Sequence, residues 1–236
     1  MKIGVIGTGN MGRHLGLLWA EQGHEVFFGS RTVAKAEAAA ALSPHTIKTG
    51  TNDEAARFGD VLLYTIRDAD PNALVDDPAT WDGKVVIDVN NHDVPDGLDY
   101  PSFELSIAQK IQAQIPNAHV VKAFNTTPIE LFELCPDLVK PYEVSIFLAT
   151  DDDAARATVA QLVTDLGFVP VDCGPLYAAK SIERAAQLII GVIISSGQFL
   201  TTLSTKVLPQ PERAARLGGR EMSEQQLEDL RSLEAS

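Results

Sequence analysis

An apolar run, Lys2–Ile6, leads straight into Gly7-Thr8-Gly9-Asn10-Met11-Gly12, and a helix-like stretch over residues 11–22 follows. No other local pattern in the chain narrows the fold as much. Glycines spaced G-x-G-x-x-G between a strand and a helix mark a βαβ unit whose turn approaches a pyrophosphate. Gly7 permits the tight turn off the strand. Gly9, lacking a Cβ, lets the backbone come close to the phosphates, and Gly12 lets the helix pack on the sheet. The helix start then offers unpaired N–H groups and a positive dipole end. A second apolar strand over 25–28 follows Gly23 and completes the expected context. The opposing reading is a glycine-rich turn that binds nothing.

The end of that second strand discriminates between dinucleotides. An NAD site usually places Asp or Glu there for the ribose hydroxyls. This chain has Gly29-Ser30-Arg31-Thr32 and no acid. Ser30 and Thr32 can donate hydrogen bonds, Arg31 can fork onto a phosphate, and Lys35 supplies a second cation. The pattern predicts NADP(H). The alternative leaves Arg31 and Lys35 as solvated surface charges.

The 236 residues suffice for one large α/β domain with a small appendage. The formal charge of −13 argues against nucleic acid and against an anionic membrane surface as partners. Two cysteines, Cys135 and Cys173, form no disulfide framework and no metal spacing, so reduced thiols and a cytoplasmic location are expected. The N-terminal apolar residues read as a strand rather than a secretory signal. Residues 185–205 carry no charge, yet Gln187, Gly191, Ser195, Ser196 and Gln198 interrupt them. A helix buried in the core or in a dimer interface is expected there, not a membrane span.

Strand candidates recur at 46–48, 61–66, 85–89, 119–124, 144–149 and 168–171, with helical stretches at 32–42, 52–58, 71–75, 102–115, 128–134 and 153–166. This alternation predicts an α/β fold: a Rossmann-type, doubly wound, mostly parallel sheet. The expected division is a nucleotide-binding domain over 1–172 and a small C-terminal helical region with a polar tail over 173–236. Helix is expected from 175 to 205, broken by Pro209 and Pro211. Gly218-Gly219 reads as a hinge, and Ser223-x-x-Gln226 as a capping box for a last helix. The run Asp151-Asp152-Asp153 reads as helix capping rather than a metal site. Asn52 is a plausible N-cap, Trp19 belongs to the core, and His14 is either a phosphate contact or a solvated helix residue.

In an open parallel sheet, ligands lie across the carboxyl ends of the strands. Three such ends join the glycine loop as candidates: Thr65-Ile66-Arg67-Asp68, Asp88-Val89-Asn90-Asn91-His92 and Ala123-Phe124-Asn125-Thr126-Thr127-Pro128. Asn90 and Asn125 are candidates for orienting the nicotinamide, although Asn also favours turns for its own reasons. No nucleophile–base–acid triad is evident. Lys122 and His92 are proton-donor candidates by position alone. Hydride transfer between two cofactors needs stacking and proximity more than a positioned acid.

The segments 2–12, Gly29-Ser30-Arg31 with Lys35, Val121-Lys122-Ala123-Phe124-Asn125-Thr126, and Asp172-Cys173-Gly174-Pro175-Leu176 followed by Ala178-Ala179-Lys180-Ser181-Ile182-Glu183 resemble the coenzyme F420-dependent NADP oxidoreductases. They also resemble the NADPH-binding domain of STEAP-type metalloreductases. The resemblance spans most of residues 1–190, and the last two segments are its specific part. It implies pyrophosphate held by residues 7–12, 2′-phosphate held by Ser30, Arg31 and Lys35, and a nicotinamide pocket flanked by the third strand end and residues 174–176. In that family hydride passes directly between nicotinamide and a deazaflavin (F420) or flavin ring. Asn90-Asn91-His92 is closer to the metalloreductase version, and Arg67 stands where Pro or His is usual. Two other readings stay open: an NADPH-dependent reductase of a small carbonyl or imine, and a non-catalytic NADPH-binding module. A homodimer through 185–205 is a further expectation.

Overall fold

The computed structural model describes residues 1–93, 102–134 and 136–206, together with the backbone of two short strands further on. The chain forms two compact units, Met1–Ser204 and Thr205–Ser236. In the first, β1 (Lys2–Ile6), α1 (Asn10–Glu21), β2 (Glu25–Gly29), α2 (Val33–Ala40), β3 (Lys48–Gly50), α3 (Asn52–Phe58) and β4 (Val61–Tyr64) lead to β5 (Val85–Asp88). Then follow α4 (Ile107–Gln114), β6 (His119–Lys122), α5 (Pro136–Val139), β7 (Ser145–Leu148), α6 (Asp153–Asp165), β8 (Val169–Asp172) and α7 (Ala179–Ser196).

Six strands form one parallel sheet in the order β3-β2-β1-β4-β5-β6. The order reverses between β1 and β4, which is the Rossmann switch point where ligands bind. The mostly parallel α/β sheet read from the sequence is therefore the observed one. β7 and β8 pair in parallel by themselves. An antiparallel bridge between Lys122 and Ala149 joins them to the end of β6.

Strand side chains alternate between two cores, as the two-residue period of a strand requires. Ile3, Val5, Leu63, Ile87 and Val121 pack under Leu15 and Trp19 of α1 and Val159, Leu162 and Val163 of α6. Ile6, Leu62, Tyr64, Val86 and Val120 pack against Ala55 and Ala56 of α3 and Ala108 and Ile111 of α4. Trp19 is fully buried, and its Nε1 donates to the Leu162 carbonyl at 3.1 Å, so it joins the α1 and α6 layers.

The ends of elements follow local chemistry. α3 is capped by Thr51 rather than Asn52: Thr51 Oγ1 accepts from Glu54 N, and the Glu54 carboxylate accepts from Thr51 N, a complete capping box. The helix expected from residue 102 starts at Ile107, because Ser106 and Gln109 form a second capping box. Asp152 caps α6 by accepting from Ala155 N at 2.7 Å, and Asp151 Oδ1 accepts from Leu176 N. α7 stops at Ser196 instead of running to 205, because Gly197 takes a left-handed conformation (φ +69°).

In the second unit β9 (Arg216–Leu217) and β10 (Arg220–Glu221) pair antiparallel. The expected hinge, the Ser223 capping box, Pro209, Pro211 and Cys135 lie outside the described residues.

Candidate functional site

The glycine loop sits over the switch point. Gly7 has φ +96°, and its N–H donates to the Gly29 carbonyl at 3.1 Å, tying the loop to the end of β2. At Gly12 a Cβ would fall 2.1 Å from the Gly7 carbonyl oxygen, so only glycine lets α1 start this close to the turn. At Gly9 a Cβ would meet nothing within 4 Å. The loop backbone there borders open space, as a phosphate-approaching backbone must.

α1 has no side-chain cap and no acidic residue in its first turn. Its N-terminal N–H groups are left for an anion. α2 shares this property at its Thr32 N-cap, whereas α3, α4 and α6 are capped by side chains. Beside α2, Ser30 is buried, and its Oγ accepts from Thr32 N at 3.2 Å, which shapes the turn. Arg31, Thr32 and Lys35 are exposed. Among the described residues, the side chains of Arg31 and Lys35 make no hydrogen bond or ion pair.

A cleft of about 310 Å³ opens beside the loop, lined by Gly9, Asn10, Met11, Thr65, Arg67, Val89, Asn90, Asn91, Phe124, Asn125 and Thr127. The three strand ends named from the sequence therefore converge here. Val89, Phe124 and Thr127, which fall within those strand-end segments, join Asn90 and Asn125 in the lining. Phe124 holds a left-handed φ of +60° while packing edge-on against Trp19 and Phe132. A non-glycine residue in that conformation stores strain, and such strain clusters at sites.

Several candidates serve the frame of the cleft. The Thr65 hydroxyl donates to the Gly7 carbonyl at 2.8 Å, with the Ile6 carbonyl at 3.1 Å. Ile66 packs under Gly7. Asn90 Nδ2 donates to Asp88 Oδ1 and the Tyr64 carbonyl. Ala123 is fully buried behind the wall. Arg67 is half exposed and pairs with Asp93 at the rim. Asn125 Nδ2 donates to Asn91 Oδ1 at 2.8 Å, and Asn91 Nδ2 donates to the Asn125 carbonyl at 2.8 Å. That reciprocal pair fixes the Asn125 amide. Its Oδ1 and the Thr127 Oγ1 remain buried without a partner. Unmatched buried polar atoms beside a cleft are places for a ligand's polar groups.

The proton-donor candidates are placed elsewhere. Lys122 is fully buried, 2.9 Å from both Asp88 Oδ2 and Glu183 Oε1, and shut off from the cleft. His92 Nδ1 lies 2.6 Å from Glu183 Oε2, and its ring stacks on Phe103 at 4.0 Å. His14 Nδ1 bonds the Asn10 carbonyl, and its Nε2 lies 3.4 Å from Glu133, on the side of α1 facing residues 129–133. Burial, aided by Asp88, Asp70 and Asp68, pushes the Tyr64 phenol above its ordinary range. Burial likewise pushes the Cys173 thiol up.

Fold and loop together define a Rossmann-type dinucleotide-binding protein. Comparison with known proteins refines that class. Residues 2–92 match the family model described as NADP oxidoreductase, coenzyme F420-dependent. The F420-dependent NADP reductase of Methanothermobacter marburgensis is 29% identical over 219 residues, covering 83% of this chain and 94% of that one. Metalloreductase STEAP2 of Mus musculus is 28% identical over 184 residues, covering 78% of this chain. The present chain spans only about a third (35%) of that metalloreductase. A solved structure from Arthrobacter sp. FB24, carrying a provisional F420-dependent NADP-reductase name, superposes with a TM-score of 0.75 at 25% identity. It covers 88% of this chain and 100% of its own. These relatives bear out the resemblance read from the sequence, and they support an NADP-dependent oxidoreductase. Among the described residues no helix is long and apolar enough to cross a membrane.

Proposed function

We propose that this chain passes hydride between NADP(H) and a deazaflavin or flavin ring bound at the same cleft. The observation that carries the cofactor choice is the acid-free end of β2, where Arg31 and Lys35 stand unpaired among the described residues beside the uncapped start of α2. Arg31, Lys35 and Ser30 would hold the 2′-phosphate. Residues 7–12 and the first turn of α1 would hold the pyrophosphate. Asn125 Oδ1 and Thr127 Oγ1 would orient the carboxamide. When bound, the reduced nicotinamide supplies the hydride.

The choice of acceptor rests on what lines the cleft. Its described lining contains no Asp, Glu, His, Lys, Cys or Tyr, and its single ionisable group is Arg67. Reduction of a carbonyl or imine calls for a proton donor beside the developing charge. Ring-to-ring hydride transfer calls chiefly for stacking and proximity. The lining suits the second chemistry, and the F420-dependent names of the family model and of the reductase relatives point the same way.

Purified protein mixed with NADPH and, separately, with F420, FMN, FAD and a ferric chelate tests the reading through the nicotinamide absorbance band. Oxidation with F420 or a flavin is expected. Tight NADPH binding with turnover only on a carbonyl or imine would overturn it. We also propose that the protein pairs with a second copy through the apolar face of α7.

A further inference from the structure

We infer that Glu183 is a positioning residue of the cleft: a buried α7 carboxylate that sets the 90–92 segment and Asn125, and through them the ring end of the bound dinucleotide. The inference rests on the cleft being the nucleotide site, as proposed above.

The Glu183 side chain is 1% exposed, and both of its oxygens are engaged. Oε1 accepts from Lys122 Nζ at 2.9 Å, at the end of β6, and from Ile107 N at 2.9 Å, at the start of α4. Oε2 faces His92 Nδ1 at 2.6 Å, in the segment after β5. Three separate parts of the chain therefore meet on one carboxylate.

Neutralising Lys122 does not explain it. Asp88 already lies 2.9 Å from Lys122 Nζ, with both groups fully buried. A second buried carboxylate against the same lysine adds a desolvation cost that ion pairing offsets only where the hydrogen bonding is complete. What Glu183 contributes is connection. Lys122 Nζ also donates to the Asn90 carbonyl, and Asn90 and Asn91 line the cleft. Asn91 holds the Asn125 amide, whose Nδ2 also approaches the carbonyl of Ile182, next to Glu183, at 3.5 Å. Arg184, on the other side of Glu183, lies 4.3 Å over the Phe103 ring that stacks on His92. One turn of α7 thus braces the cleft wall through His92, Lys122 and Asn125. Neither Glu183 nor His92 lines the cleft itself.

Glu183→Gln preserves volume and one acceptor. The first readouts need no turnover: NADPH affinity by fluorescence titration, and the nuclear Overhauser pattern between nicotinamide and its ribose in bound NADP⁺. NADPH affinity is expected to stay within about threefold, because the phosphate contacts lie elsewhere. The Overhauser pattern is expected to change from one ring orientation to a mixture. With a competent acceptor, kcat is expected to fall about tenfold or more while KM for NADPH holds. His92→Asn should give the same loss, and the double variant should add nothing further.

A folded E183Q with unchanged ring orientation and kcat overturns the inference. So does a parallel fall of melting temperature, affinity and kcat in both variants, which marks a merely structural role. If E183Q does not fold, H92N carries the test at a partly exposed site, and an unchanged H92N overturns the inference. A wild type that binds no NADPH overturns the function reading, and this inference with it.

Discussion

Arg31 is the residue on which the cofactor choice turns. It is exposed and unpaired among the described residues, and it follows the buried Ser30 whose hydroxyl shapes the turn. Arg31→Ala should weaken NADPH by about 1.5–3 kcal/mol, the range for a charge-assisted hydrogen bond, and leave NADH nearly unchanged. Titration of both nucleotides checks this, and equal losses would remove the 2′-phosphate role. Tyr64 yields a prediction in pH. Its hydroxyl donates to the Ala69 carbonyl at 2.9 Å, and burial keeps the phenol neutral to higher pH than in the unfolded chain. That contribution is whole below the ordinary tyrosine range of about pH 10 and is lost progressively as pH rises from there towards the raised folded-state range. Tyr64→Phe should cost roughly 1 kcal/mol at neutral pH in urea unfolding and flatten the alkaline fall. At this scale the turn geometry of the loop glycines was legible because motif chemistry is local, and the role proposed for Arg31 rests on the same kind of local reading. Glu183 was legible only as part of a resembling segment. Its partner His92 lies 91 positions away, and no spacing rule connects them.

Elements were legible wherever their ends are fixed by their own residues. β1 and α3 have the bounds that pattern and turn chemistry indicate, although the cap of α3 fell to Thr51 because Glu54 sits three residues after it. α7 was read too long. Its uncharged run continues past Ser196, and hydropathy gave no stop, whereas Gly197 does so through its left-handed backbone. How α7 docks depends on a tertiary charge cluster. Lys122 joins Asp88 at the end of β5 to Glu183 on α7, with all three side chains nearly without solvent contact. Lys122→Met removes the cation and leaves two carboxylates buried together. Breaking such a cluster costs about 3–5 kcal/mol, since the stranded charge loses its compensation. A midpoint shift of that size in denaturant unfolding is expected. A variant as stable as wild type would mean that water or a relaxed geometry compensates the pair.

For the whole molecule, the Rossmann order of the sheet places every cleft residue at one edge, and the strand–helix alternation of the sequence was enough to anticipate that. What the sequence divided between a core and an interface, the fold divides along α7. Ile182, Ala186 and Ile189 are buried within the first unit. Leu188 (62%), Ile194 (60%), Phe199 (64%) and Leu200 (54%) are exposed. Gly191 and Ser195 line a shallow groove beside Leu188 and Val192, and small residues there admit a close helix approach. Among the described lining only Arg184 is charged, so a second copy of this largely apolar face would suit it better than a strongly charged partner, and isologous pairing would bury the same residues twice. The net charge of −13 on each copy opposes association at long range. Screening by salt should therefore strengthen the pair, since the Debye length falls to about 10 Å at 0.1 M. Light scattering at micromolar concentration should report a dimer that tightens with salt. Leu188→Glu places a charge in the centre of the face without touching the core, and should give a monomer with an unchanged melting curve at high dilution. A wild type that stays monomeric at high salt would show that α7 keeps its apolar face free of a second copy.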